Sequence, residues 1–309
     1  MKAISLAAAL AIGLAVPAGA EQDFGPLLTP VELDRRLSDM DPLVLDIRGD
    51  AYEAGHIPGA VHAPYSLFRG PAENPGQLVP EAQLEATLRS LGVTTDQPVV
   101  VVHEGADVSD FGAAARVYWT LKSSGVSQLA ILNGGAKAWR LAGLPTTTQP
   151  TQAVPSEFEL TFSDEWLATT DNVAAIVGGE GEALLLDARP EAFWAGDRAH
   201  GAAARPGTLP QSRYFEHAGW FSDGPAIVNA EDARRLADAE GFSEAETLVS
   251  FCNTGHWAAT NWFALSELAG IEGVRLYPES MVGYSNAGHE MANTPGLLRN
   301  LMNQVRGIF

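Results

Sequence analysis

The chain has a single cysteine, Cys252, among 309 residues. One thiol cannot close an internal disulfide, so no covalent staple supports the fold. Basic charge is also scarce: 19 lysines and arginines stand against 38 aspartates and glutamates, a net charge of −19. No basic stripe interleaves with aromatic residues, so nucleic acid is not an expected partner. The acidity favours solubility and weakly repels anions. Any anion site must therefore be local, built from backbone N–H groups or a few arginines. The 31 glycines and 19 prolines follow no period, which argues against a collagen-like chain. Past the first twenty residues no apolar run is long enough to cross a bilayer. The seven histidines are scattered, and with one thiol they form no ligand cluster, so no metal and no other cofactor is expected.

What is present begins with an export signal. Lys2 gives a positive start, "AISLAAALAIGLAV" an apolar stretch, and "AGA" at 18–20 a small-residue cleavage site. Residues 1–20 therefore read as a signal peptide of a periplasmic or secreted protein, with the mature chain starting near Glu21. The remaining length suits one large domain or two ordinary ones.

The sequence then repeats itself. "LVLDIRGDAYEAGHIPGAVHAPY" (43–65) matches "LLLDARPEAFWAG…ARPGTLPQSRYF" (184–215), with Asp46 and Arg48 opposite Asp187 and Arg189. "GHIPG" (55–59) answers "GTLPQ" (207–211), and "LGVTTDQPVVVV" (91–102) answers "EGFSEAETLVSF" (240–251). "ARVYWTLKSSG" (115–125) answers "TNWFALSELAG" (260–270), and "LNGGAKAW" (132–139) answers "YPESMVGY" (277–284). Five blocks in one order argue against chance. Each half reads as strands alternating with helices, which predicts an α/β fold. "LVLDI" and "VVVVH" look like buried parallel strands. "PEAQLEATLRSLG" has helical spacing at Leu84, Leu88 and Leu91, with Gly92 as its stop. "TTTQPTQAVPS" (146–156) reads as the linker, and a weak amphipathic helix is expected from about residue 295.

The loop "CNTGHW" (252–257) lies between the strand "LVSF" and the helix "AATNWFALSELAG". Parallel α/β folds build their sites at the carboxyl ends of strands. A loop running there into a helix aims several N–H groups inward and suits an anion. That setting favours the thiolate form of Cys252, and Gly255 supplies the freedom a tight turn needs.

On these residues the chain resembles the tandem-domain rhodanese family, the thiosulfate and 3-mercaptopyruvate sulfurtransferases, over roughly residues 25–290. The carrying motifs are "DIRGDAYEAGHIPGAVHAPY", "ARVYWTLKSSG…ILNGGAKAW", "DARPEAFWAG" and the Cys252 loop. The resemblance implies two rhodanese-like domains, each a central parallel sheet flanked by helices on both faces. Domain 1 would span 25–148, domain 2 158–290, and a tail 291–309. Only the second domain would be catalytic. In the first, counting from the strand sets Glu104 opposite Cys252, and counting from the helix sets Asp107 there.

The implied reaction passes a sulfane sulfur from a small anionic donor through a Cys252 persulfide to cyanide, a thiol or a protein acceptor. Asn253, Thr254, Gly255, His256, Trp257 and Ala258 would form the active-site loop. Thiosulfate-specific relatives often have basic residues where Asn253 and Thr254 stand, so the donor stays open between thiosulfate and mercaptopyruvate. Arg189 either faces the pocket and binds the donor or only pairs with Asp187. Arg198 and Arg205, in the insertion after it, are candidates for a carboxylate contact. His256 is a charge partner, proton donor or substrate contact, or else a cap on the helix. Trp257 is a candidate pocket wall and Trp262 a core residue, while Asp46 and Asp187 fix the loops after their strands.

Other classes of function remain in view. A cysteine phosphatase uses a similar anion cradle but needs an arginine six residues after the thiol, where this chain has Ala258. A periplasmic sulfur carrier would load Cys252 once and pass the sulfur to a docked protein. An inert double domain would simply bury the thiol.

Overall fold

Four consecutive valines, buried without exception, mark the middle of the first sheet. β-branched residues without polar alternation fit a strand covered on both faces. A computed structural model describes residues 24–296. Its first half runs β1 (Leu27–Leu28), α1 (Pro30–Asp39), β2 (Leu43–Asp46), α2 (Ala51–Ala54), β3 (Val61–His62), α3 (Glu81–Ser90), β4 (Val99–Val102), α4 (Phe111–Ser123), β5 (Leu129–Leu132) and α5 (Gly135–Leu141). The strands are all parallel, in the order β1-β5-β4-β2-β3. The helix read at "PEAQLEATLRSLG" is α3, which buries Leu84 and Leu88.

The second half repeats the plan with α6 (Thr170–Val177), β6 (Leu184–Asp187), α7 (Glu191–Trp194), β7 (Arg213–Tyr214), α8 (Ala230–Ala239), β8 (Leu248–Phe251), α9 (Trp257–Trp262), β9 (Val274–Leu276) and α10 (Ser280–Asn286). Its parallel order is β7-β6-β8-β9. The counterpart of β1 has shrunk to one parallel bridge between Leu167 and Leu276. The chain is thus an α/β protein with two parallel sheets flanked by helices. No helix among the described residues is long and apolar enough to cross a membrane. The export signal lies outside the described residues, and so does most of the helix expected near the C-terminus.

The ladders fix the equivalence of the two halves. Asp46 pairs with Val102 in the first sheet, and Asp187 with Phe251 in the second. Val102 therefore answers Phe251, and the next residue on each chain is His103 or Cys252. This corrects the two counts made from sequence: neither Glu104 nor Asp107 is the partner of Cys252. Carbonyl contacts agree, since Ala136 N donates to His103 O as Met281 N donates to Cys252 O. The first loop is three residues longer before its helix begins, and counting back from the helix absorbed that insertion.

The two halves share one core. Helices α4 and α9 occupy equivalent places and pack against each other across the boundary. Phe263 meets Phe111 and Tyr118 edge-on, with ring centroids 5.5 and 5.0 Å apart. At the rim, Glu267 accepts from Tyr118 Oη at 2.8 Å and pairs with Lys122 at 2.8 Å. The expected single helix after Cys252 is in fact α9 followed by a π-helical turn, Phe263–Leu268, in which Ala269 N reaches back to Ala264 O. The wider turn spreads two adjacent buried aromatics. Both enter the shared core, Trp262 anchored by Nε1 donating to Val274 O and its ring 6.3 Å from that of Tyr118.

The stretch read as a linker is strapped to domain 1. His56 bridges to Thr147, Ser156 N donates to Arg89 O, and Ser163 N donates to Ser123 O at 2.7 Å. Shared core and strap together hold the carboxyl end of the second sheet against the first domain, and the site lies at that seam.

Candidate active site

The Asp-x-Arg motif that recurs in both halves is a brace. Arg189 Nε donates to Asp187 Oδ1 at 2.9 Å and Nη2 to Oδ2 at 2.6 Å. Nη2 also reaches Gly207 O, and Nη1 reaches Asn253 Oδ1 at 3.3 Å. Arg48 repeats this on Asp46 and Gly55 O, with its Nη1 on Glu104. Both guanidiniums are buried, and their donors are committed to the loop that follows each sheet. Arg189 thus holds Asn253, the second residue of the cysteine loop, in place. Of the two roles read for it from sequence, pairing with Asp187 is the one its geometry displays.

Cys252 leaves β8 with its N–H on Ser280 Oγ at 3.0 Å and its carbonyl on Met281 N at 3.1 Å. Ser280 has φ +51 and donates in turn to Tyr277 O at 2.7 Å. Positive φ is strained for a residue with a side chain. Its equivalent in the first half is Gly135, so a serine is tolerated here where it fixes the cysteine. Gly255 turns the loop at φ +70. Among the described residues, the N–H groups of Asn253, Thr254, Gly255, His256 and Trp257 find no acceptor in the protein. Buried backbone donors are nearly always paired, so a run of free ones beside a thiol makes a receptor for an anion. Cys252 itself is 1% exposed.

The first domain closes this loop, and the sequence reading missed that contribution. His256 Nε2 faces Ser109 O at 2.8 Å, and Nδ1 faces Tyr65 Oη at 3.1 Å. A carbonyl only accepts, so Nε2 carries the proton and Nδ1 accepts from Tyr65. Tyr65 Oη accepts in turn from Arg69 Nη1 at 3.1 Å. Burial keeps the ring neutral near pH 7. Burial, then the Arg69 charge, hold its pKa down to about 4. His256 makes no side-chain bond to cap α9; it ties the loop to domain 1. Trp257 does the same, with Nε1 donating to Ser109 Oγ at 2.6 Å and its ring stacked on His217.

Arg116, on α4, is the deepest of these contacts. It is 1% exposed, its Nη2 donates to Gly76 O at 3.2 Å, and Nε and Nη1 have no partner. Burial lowers its pKa to about 9, and Arg69 pushes the same way, while Tyr65 and Cys252 oppose them. A Cβ on Gly255 would fall 2.4 Å from Arg116 Nη1, so the guanidinium lies directly against the loop. The available signal was an arginine inside the apolar helical block "ARVYWTL".

Arg198 and Arg205 stand elsewhere. Arg198 is exposed and sits over the Phe193 ring at 5.0 Å, and that ring touches Trp257 edge-on. Arg205 Nη2 bonds His289 O in the segment after α10. Ala258 is buried in the first turn of α9, with its carbonyl accepting from Ser250 Oγ.

Comparison with known proteins meets this geometry from outside. A model of the rhodanese-like domain matches the chain twice, at residues 29–142 and 169–287. A probable 3-mercaptopyruvate sulfurtransferase of Pseudomonas aeruginosa is 30% identical over 272 residues, 82% of this chain and 93% of that one. A putative thiosulfate sulfurtransferase of Synechococcus elongatus is 26% identical over 89% of both chains. A sulfur carrier protein of Thermus thermophilus is 26% identical over 82% of this chain and 91% of its own. Among solved structures, an anaerobic ergothioneine biosynthesis enzyme from Chlorobium limicola superposes with a TM-score of 0.77. It is 20% identical, over 88% of this chain and 71% of that one, and supports the fold alone.

Proposed function

The chain belongs to the rhodanese family of sulfurtransferases, and from that premise we propose that it moves a sulfane sulfur from thiosulfate to cyanide or a thiol through a persulfide on Cys252. One observation carries the reading: the single thiol opens a loop whose next five N–H groups have no acceptor among the described residues. The Cys252 thiolate bonds the outer sulfur of thiosulfate while the sulfur–sulfur bond breaks, and sulfite leaves with the electron pair. The persulfide anion is then held by the loop amides, worth most in a water-poor site. Cyanide or a thiolate bonds the terminal sulfur, and the electron pair returns to Cys252 as thiolate.

Two features support an anionic donor despite the acidic chain. Arg69 is half-buried and its guanidinium binds only the Tyr65 hydroxyl among the described partners. Burial, and then this charge felt across the domain boundary, lower the pKa of His200, in the insertion after α7. The reading of residues 1–20 as an export signal supports a periplasmic or extracellular setting for the reaction.

Mass spectrometry after incubation with thiosulfate or 3-mercaptopyruvate tests the reading. Thiosulfate should add one sulfur atom to Cys252, and Cys252→Ser should gain none. Addition from mercaptopyruvate alone would reassign the donor, and addition from neither would refute sulfur transfer from these donors. The relative named as a sulfur carrier favours a second reading, in which Cys252 loads once and discharges to a docked protein. Steady release of sulfite with cyanide present supports the enzyme; one equivalent followed by none supports the carrier.

A further inference from the structure

The guanidinium of a residue 1% exposed lies over the Trp119 ring at 5.2 Å but leaves two nitrogens without a hydrogen-bond acceptor, a costly burial that a nearby anion would relieve. The charge belongs to Arg116, which packs against Gly255 in the cysteine loop yet is carried by the domain without a thiol. Neither its helix nor the Cys252 loop gives it a carboxylate partner among the described residues. The groups within its electrostatic reach are Arg69, Tyr65 and Cys252. His256, beside Tyr65, is neutral. Glu279, at the head of α10, is bonded to Asn74 Nδ2 at 2.8 Å. Glu279 is not among the charges that act on Arg116, and burial holds the Tyr65 phenol protonated, so Cys252, whose sulfur becomes an anion in the proposed transfer, is the group left to answer the guanidinium.

We propose that Arg116 reaches across the domain boundary as the counter-charge of the anionic sulfur on Cys252, thiolate before transfer and persulfide after it. The first domain then supplies the cation and the second the nucleophile. Neither half is a complete site alone. This rests on the sulfur-transfer reading for its persulfide half but not for its thiolate half. It also accounts for a guanidinium whose Nη2 alone is anchored: the bond to Gly76 O orients the fork and leaves Nη1 at the loop.

The test is alkylation of Cys252 at two pH values in the wild type, Arg116→Gln and Arg116→Lys. Gln keeps a donor for Gly76 and loses the charge; Lys keeps the charge. At pH 6.5 the Gln variant should react with iodoacetamide at least tenfold more slowly, and the Lys variant within about threefold of wild type. At pH 10, where thiols are ionised in every variant, the three rates should converge. Equal slowing at both pH values, or equal rates at pH 6.5, would overturn the proposal, because a structural role moves access and not charge.

A second measurement leaves position 116 untouched, in case the Gln variant does not fold. Wild-type protein capped on Cys252 with iodoacetate carries an anion, and with iodoacetamide a neutral group of nearly the same shape. The anionic cap should melt higher by several degrees, and the opposite order or coincident melts would overturn the pairing. A wild type that takes sulfur from no donor yet keeps this order would remove the transfer reading and leave the pair in place.

Discussion

Two loops leave two equivalent strands, and only one of them is open to an anion. In the first domain, His103 starts a loop whose own carboxylate fills it. Asp110 Oδ2 accepts from Gly105 N at 2.6 Å, Ala106 N at 3.2 Å and His103 Nδ1 at 3.0 Å. Asp107 Oδ1 takes the N–H groups of Ser109 and Asp110. In the second domain the corresponding amides have no acceptor among the described residues, and the strand ends in a thiol. The longer first loop carries the acids that saturate it. That loop is then spent on a different task, presenting Ser109 O and Oγ to His256 and Trp257. Duplication gave two anion cradles; one carries a built-in anion and became a clamp for the other.

The largest expected effect deletes the chemical difference between the loops. Cys252→Ser should reduce sulfur uptake at least about a thousandfold. Its thermal midpoint should move by only a few degrees, since the volume barely changes. Residual uptake near the wild-type level would place the acceptor sulfur outside this loop.

Next in size is the shape of the open cradle. Gly255→Ala asks a side chain to adopt φ +70, which costs about 1–2 kcal/mol. The new Cβ would also lie 2.6 Å from Pro278 O and 2.4 Å from Arg116 Nη1. The loop must shift, and activity should fall at least about a hundredfold, more than stability alone explains. An active variant with unchanged melting would show that the loop is not held as tightly as these contacts require.

A smaller effect comes from trying to convert one loop into the other. His103→Cys in a Cys252→Ser background places a thiol at the equivalent strand end. It should alkylate at least about tenfold more slowly at neutral pH than native Cys252, because Asp110 holds the amides and repels a thiolate. Adding Asp110→Ala should recover part of the rate. Equal rates with Asp110 present would break the claim that the first cradle is occupied by its own carboxylate.

Much of this comparison could be read along the chain, and the gaps have physical causes. The valine run, the paired Asp-x-Arg motifs and the single cysteine before a helix gave both sheets and the loop, because each is a local pattern. The arginine that packs against the loop, Arg116, was not among the residues picked out. Arg189, Arg198 and Arg205 drew attention by lying in the same half as Cys252, but Asp187 two residues before Arg189 already commits its fork. The recurrence of the same pair as Asp46 and Arg48, in the half without a thiol, was the available warning: a device present in both halves serves the fold first. Arg69 and Arg116 escaped notice because the loop they approach lies in the other domain. No period or spacing encodes that α4 will pack on α9. The count from the helix missed the partner of Cys252 because it crosses the insertion in the loop, and the count from the strand missed by one residue because the register that fixes His103 comes from pairing between strands, not from spacing along the chain.

The smallest effect concerns the clamp between the loops, and its sign follows from His256. Burial holds the ring neutral, with a pKa near 4 against about 6.5 for a free side chain. Below pH 6.5 the unfolded chain takes up a proton that the folded chain refuses. Stability that is complete above 6.5 therefore drains away as pH falls toward 4. By pH 5 this amounts to roughly 1–2 kcal/mol, before most carboxylates have begun to protonate. When the ring does take the proton, Nδ1 can no longer accept from Tyr65, and a second cation faces Arg69. Thermal melting between pH 7 and 5 should thus fall more steeply in the wild type than in His256→Asn, which keeps a polar group but cannot titrate. Tyr65→Phe should lower the midpoint at pH 7 and leave the slope in place, since it removes the donor and not the titrating ring. Parallel curves for wild type and His256→Asn would mean that the loop is held by Trp257 and Ser109 alone. The two cradles would then be joined by packing rather than by a relay of hydrogen bonds.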